Sequence, residues 1–161
     1  MKSVSLRELR DRLGQFATGV CVVTTRTADG RDVGLTVNSF VPVSLDPPLV
    51  AWNLVSSSGS LEAFRYCRHF AVSVLACSQE SVARRLPTPG VDDKVAGAPV
   101  SRTAAGPLIV SGATATFVCE CYQSSTIGDH MLIVGKVSQV GSAKGDPLVF
   151  NQGRFRILPG T

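Results

Sequence analysis

This 161-residue chain lacks most of the marks that would assign it quickly. No apolar run approaches the roughly 20 residues that a bilayer-spanning helix needs. The opening Met1-Lys2-Ser3-Val4-Ser5 leads into charged residues rather than an apolar signal core, so a cytoplasmic location is expected. Histidine occurs only twice, at His69 and His130, and no Gly-x-Ser-x-Gly elbow is present. A Ser-His-Asp hydrolase is left without its parts. Neither Gly-x-Gly-x-x-Gly nor Gly-x-x-x-x-Gly-Lys-Ser/Thr occurs, which excludes by motif a Rossmann dinucleotide binder and a P-loop NTPase. Aromatic residues make up 6% of the chain and are not interleaved with basic ones. Arg7, Arg10, Arg12, Arg65, Arg68, Arg84 and Arg85 are scattered among acids, so no nucleic-acid surface is expected. The net charge of +4 suits anionic small molecules.

Cysteine is present in an odd number, five, which argues against a disulfide framework. Cys119 and Cys121 fall on one face of an expected strand with His130 not far along the chain. Tetrahedral zinc usually takes four ligands, and no second pair at finger-like spacing exists. No metal site is expected, because core packing accounts for these thiols.

What is present is a globular balance, 44% hydrophobic and 17% charged, in one expected domain spanning residues 1–161. Ser5-Leu6-Arg7-Glu8 is a capping box, and Leu6, Leu9, Leu13 and Phe16 share a face of a helix over 5–16. The β-branched run 20–25 predicts a strand, Asp29-Gly30 a hairpin turn, and 33–41 the second strand. Asp46-Pro47-Pro48 forces a turn before a strand at 49–54. A helix over 60–67, a strand over 70–75 and a helix capped by Ser78 and running through Val82 and Leu86 follow. Residues 87–107 read as a surface excursion with a short turn at Asp92-Asp93-Lys94. Two longer strands within 113–140 flank a turn over 124–129, with Thr114, Thr116, Val118, Glu120 and Tyr122 on one face. Segments 147–150 and 155–158 close the chain. Short, closely spaced strands predict a mainly β fold, a barrel with flanking helices, rather than a parallel α/β sheet.

Two polar segments interrupt this pattern. Thr36-Val37-Asn38-Ser39 lies in an apolar strand, where Thr36 and Asn38 project to one face and Leu35 and Val37 to the other. Their hydroxyls and amide match the donors and acceptors along a heteroaromatic edge. Ser56-Ser57-Ser58-Gly59-Ser60 then precedes a helix, whose free N–H groups favour a phosphate. Each has a plainer reading, threonine as a solvated strand residue and serine as a helix cap. Asn38 is the hardest to explain that way, because asparagine is disfavoured in strands and needs partners if buried. With so few catalytic side chains, a bound cofactor is the expected source of reactivity.

Three stretches identify a family. Residues 12–25 (RLGQFATGVCVVTT), 34–40 (GLTVNSF) and 43–50 (VSLDPPLV) resemble the flavin reductase-like family, the short-chain NAD(P)H:flavin oxidoreductases that serve two-component flavin-dependent monooxygenases. The likeness continues through 70–75, Asp93-Lys94, Gly128-Asp129-His130 and 147–150. It implies an FMN-binding split barrel, antiparallel and Greek-key, forming a homodimer. It implies that Thr36, Val37, Asn38 and Ser39 lie along the isoalloxazine, that Ser56, Ser57 and Ser58 hold the phosphate, and that His130 lines the nicotinamide side. Ser73 departs from the asparagine common in the family. The implied activity is hydride transfer from NADH or NADPH to FMN or FAD, with reduced flavin leaving for a separate monooxygenase. A flavin-binding or carrier protein without nicotinamide-dependent turnover is the alternative, and only the reductase reading uses the Gly-Asp-His tripeptide.

Overall fold

The structure, a computed structural model, describes residues 4–86 and 99–158. Twelve strands are described: β1 (Thr18–Gly19), β2 (Cys21–Arg26), β3 (Asp32–Val37), β4 (Val41–Leu45), β5 (Pro48–Val55), β6 (His69–Val74), β7 (Val100–Arg102), β8 (Leu108–Val110), β9 (Ala115–Ile127), β10 (His130–Ser142), β11 (Leu148–Asn151) and β12 (Arg154–Ile157). Three helices accompany them: α1 (Leu6–Leu13), α2 (Leu61–Arg65) and α3 (Glu80–Arg85). Every strand pairing is antiparallel, which bears out the mainly β expectation.

Seven strands form one sheet in the order β3-β2-β6-β9-β10-β5-β4. Its two edge strands, β3 and β4, are consecutive in the chain and only residues 38–40 join them. The sheet therefore curls until its edges approach, and among the described residues no ladder seals β3 to β4. The result is an open, split wall. Strand β2 sits inside it and is buried on both faces, which explains its unbroken apolar run rather than a period-two pattern.

Two cores follow from those two faces. Cys21 and Val23 join Trp52, Phe64, Phe70 and Ile133 on one side. Val20 and Val22 join Leu75, Val82, Leu86, Val110 and Leu148 on the other. The Trp52 ring meets Phe64 edge-on at 4.9 Å and Phe70 at 6.0 Å, the geometry aromatic quadrupoles favour. Two buried threonines are satisfied across strands: Thr24 donates to the Leu108 carbonyl and Thr25 to that of His69.

Several expectations need correction. The strand expected over 33–41 stops at Val37, because Asn38 and Ser39 disfavour extended pairing and the chain must cross between sheet edges there. Asn38 thus lies in a bend, not beside Thr36 on a strand face. The turn expected over 124–129 shrinks to Gly128-Asp129, with Gly128 at φ +61°, which a II′ hairpin needs at its first loop position. A bulge near Tyr122 breaks the shared face expected for Thr114 to Tyr122. Residues 100–102, expected as loop, form β7 against β8. Residues 87–98, with the expected turn at Asp92-Asp93-Lys94, lie outside the described residues. Ser78 sits in a 3-10 turn (Cys77–Gln79) ahead of α3, and no side chain caps that helix. The capping box at Ser5 and Glu8 is formed as expected. However, α1 buries none of its apolar face: Leu6, Leu9 and Leu13 are exposed, as is Phe16 just beyond the helix.

Candidate functional site

The split in the sheet opens a cavity of about 570 Å³. That falls within the roughly 300–1,000 Å³ of sites that hold a cofactor-sized ligand. Four separated stretches wall it: Leu35 to Ser39 from the end of β3 and the bend, Asn53 to Val55 from β5, Ser58 beyond it, and Ile127, His130 and Leu132 from the β9–β10 hairpin. The register explains the convergence. His130 pairs with Val55 on one side and with Ile127 on the other, so the hairpin end and the start of the serine turn are neighbours. A backbone bond from the Ser56 N–H to the Asp129 carbonyl, 2.8 Å, fixes that junction.

Each candidate residue has a defined place. Thr36 is half-buried, and its hydroxyl donates to the Ala83 carbonyl of α3 at 3.0 Å. It ties the edge strand to a helix while its side also lines the cavity. Val37 closes the wall towards the core. Asn38 is exposed at the bend, and its amide makes no side-chain hydrogen bond among the described residues, leaving donors and acceptor for a ligand. Ser39 clamps β5: its hydroxyl donates to the Asn53 carbonyl at 3.2 Å and accepts from the Asn53 N–H at 3.0 Å. Ser58 lines the cavity and accepts from the Ser60 N–H at 3.2 Å. Ser56 and Ser57 are exposed and lie outside this wall. Helix α2 has five residues and no side-chain cap, so it offers less to an anion than a longer helix would.

His130 is half-buried, and its Nδ1 lies 2.7 Å from Asp129 Oδ1. That contact holds the Asp129 carboxyl below its ordinary range and turns Nε2 away from the carboxylate. Among the described residues, His130 is the sole titratable one in the cavity wall. The lining is otherwise hydroxyls, amides and aliphatic carbon, a surface suited to an uncharged heteroaromatic ring system rather than to a metal.

Sequence reasoning missed Asn53, Leu35, Leu54, Val55, Ile127 and Leu132 as lining residues. Asn53 was detectable by the logic that singled out Asn38, since it is an amide inside a strand between Trp52 and Leu54. Ser73, in contrast, is fully buried and accepts the Val110 N–H at 3.0 Å. Serine there pins β6 to β8.

The thiols are electrostatically distinct. Burial pushes Cys21 and Cys119 up to about 12. Cys67 and Cys121 hydrogen-bond to each other, which drives Cys67 up and Cys121 down. Among the described residues no helix is long and apolar enough to cross a membrane.

Known proteins share this fold and sequence pattern. The flavin reductase like domain family matches residues 13–159. The chain is 40% identical over 158 residues to the FMN reductase (NADH) SmoA of Agrobacterium fabrum, covering 92% of this chain and 84% of that protein. It is 37% identical over 150 residues to the reductase component of the flavin-dependent trigonelline monooxygenase of Acinetobacter baylyi, covering 93% of this chain. There the chain spans about half of the relative, 48% of its length. Among solved structures, the NADH:FAD oxidoreductase SgcE6 of Streptomyces globisporus, in complex with NAD and FAD fragments, superposes with a TM-score of 0.89 at 31% identity. That match covers 97% of this chain and 96% of SgcE6. On these matches the resemblance read from the sequence holds, and the chain belongs to the flavin reductase like family.

Proposed function

We propose that the chain is a NAD(P)H-dependent flavin reductase that delivers reduced FMN or FAD to a separate flavin-dependent monooxygenase. The supporting observation is that Thr36 to Ser39, Ser58 and His130, distant in sequence, wall one cavity of flavin size. When bound, the flavin accepts hydride at N5 from nicotinamide C4, chemistry that requires no protein acid or base.

The protein's share is to bind, orient and keep dry. Leu35, Leu54 and Leu132 supply apolar wall that excludes water from the ring faces. The Asn38 amide offers hydrogen bonds at the polar rim. Ser39, locked to the Asn53 backbone, keeps the bend from closing or splaying. Ser58 presents a hydroxyl towards a phosphate. His130, oriented through Nδ1 by Asp129, aligns the nicotinamide with Nε2. Such alignment would favour a near-attack distance of roughly 3–3.5 Å between the two reacting groups, where much of the barrier is met by positioning.

We further propose that residues 1–161 form one domain working as a homodimer in the cytoplasm. The apolar surface left open on α1 and on edge strand β4, where Leu45 is 96% exposed, supports a covering second copy. Five free thiols suit a reducing compartment. Stopped-flow mixing of both nicotinamides against both flavins, without oxygen, tests the activity. Bleaching of flavin by at least one nicotinamide is expected, and no bleaching in any combination contradicts it.

A further inference from the structure

Two thiols that the flavin cavity does not use meet beyond the C-terminal end of α2. The chain leaves that helix at Arg65, passes through Tyr66, Cys67 and Arg68, and enters β6 at His69. Strand β9 runs alongside. His69 pairs with Glu120, and one residue on, the Cys121 N–H donates to the Arg68 carbonyl at 2.9 Å. The two backbones thus converge where the cysteines stand, and the two thiols hydrogen-bond. Side chains engaged in this way are aimed at each other, which is what a disulfide demands.

Their settings differ. Cys67 is 8% exposed and packs with Trp52, Phe64 and Phe70, whereas Cys121 only borders that core and is half-buried. The hydrogen bond that Cys67 donates favours a thiolate on Cys121 and pushes the Cys67 thiol up. The reachable sulfur is therefore also the nucleophilic one, with a sheltered thiol behind it. Cys21 and Cys119, buried and pushed up to about 12, have neither property. Among the described residues no His, Cys, Asp and Glu cluster could hold a metal, so the pair is not part of such a site.

We propose that Cys67 and Cys121 are a peroxide-sensitive pair, in which Cys121 is the attacking sulfur and Cys67 the resolving one. The Cys121 thiolate attacks one peroxide oxygen, the O–O bond breaks, and hydroxide leaves to be protonated to water. Cys121 becomes a sulfenic acid. The Cys67 sulfur then loses its proton and attacks the Cys121 sulfur, the S–O bond breaks, and a second water leaves. Two thiols are oxidised to one disulfide, and hydrogen peroxide is reduced to two waters. On the reductase reading, reduced flavin that meets dioxygen rather than a partner yields hydrogen peroxide, so turnover itself supplies the oxidant. A thiol reductant reverses the link.

The test adds hydrogen peroxide to the reduced full chain, so its outcome does not depend on the reductase reading. Free thiols are then blocked with N-ethylmaleimide, and the digested protein is mapped by mass spectrometry. The expected product is an intrachain Cys67–Cys121 disulfide that dithiothreitol reverses, with Cys21 and Cys119 still reduced. In Cys67→Ala, Cys121 should carry a dimedone adduct, the mark of a trapped sulfenic acid. In Cys121→Ser, oxidation of Cys67 should be at least about ten-fold slower than in wild type. A wild type whose two cysteines stay reduced, or link to other thiols or between chains, overturns the proposal. Oxidation of Cys67 at the wild-type rate in Cys121→Ser overturns the assigned roles.

Discussion

Thr36 and Ala83 are 47 residues apart, yet the Thr36 hydroxyl donates to the Ala83 carbonyl at 3.0 Å and joins sheet edge β3 to helix α3. The bond makes Thr36 a wall-setting residue as well as a lining one, because it fixes the strand end from which the bend at Asn38 departs. Thr36→Val removes the donor while keeping the shape. It should cost about 1 kcal/mol of stability, read as a lower urea midpoint at unchanged slope. An unchanged midpoint would show that the bond does not hold the edge in place.

The pairing of His130 with Asp129 leads to a kinetic expectation. His130→Ala should raise the KM for NADH more than that for flavin, since the ring is assigned to the nicotinamide side. Asp129→Asn leaves the imidazole in place but weakens its orientation, so it should shift the same constant in the same direction by less. Steady-state kinetics with each substrate varied separately decide this. A larger effect on flavin than on NADH would move His130 to the other substrate.

Gly135 lies in β10 against the ring of Phe70. A Cβ added there would collide with that ring's edge and lie 2.8 Å from Cys119 Cβ. Gly135→Ala should therefore destabilise by about 1–3 kcal/mol, the usual cost of overpacking a filled core. Gly59 has open space at its Cβ position, and Gly59→Ala should stay within about 0.5 kcal/mol. Thermal unfolding of the two variants separates them. Equal melting temperatures would contradict the packing described around Phe70.

Asp32 and Arg102 form a two-pronged pair, 2.7 and 3.0 Å, that fastens β7 to β3. The guanidinium holds the Asp32 carboxyl below its ordinary value of about 3.9. A carboxyl depressed in the folded state contributes stability that is complete above the unfolded value and drains away as pH falls through the folded one. Asp32→Asn should thus cost most at neutral pH, at most about 1 kcal/mol for so exposed a pair, and progressively less below pH about 4. Chemical denaturation across pH 2–7 checks the sign, and a gap that widens on acidification would refute it.

How much was legible in the sequence depended on how local the cause was. The start of α1 follows from Ser5 and Glu8 three residues apart, and the β9–β10 turn from Gly128. Asn38 stood out because an amide is disfavoured inside an apolar strand, and the structure resolves that conflict by ending β3 at Val37. The tie from Thr36 to Ala83 was not legible, since it depends on a helix far along the chain. Nor was β4 as a separate strand: Pro42 and a bulge disguise it, and only pairing with β5 defines it. Strand β7 escaped because three residues in a proline- and glycine-rich stretch carry no periodicity of their own.

The central claim is that the cavity bounded by Asn38 and His130 binds a flavin for reduction by nicotinamide. The most direct measurement mixes FMN with excess NADH anaerobically, using wild type and Asn38→Ala, and follows the loss of flavin absorbance. Rapid bleaching by wild type and bleaching at least several-fold slower by the variant are expected. Equal rates for the two proteins, or no bleaching by wild type, would contradict it.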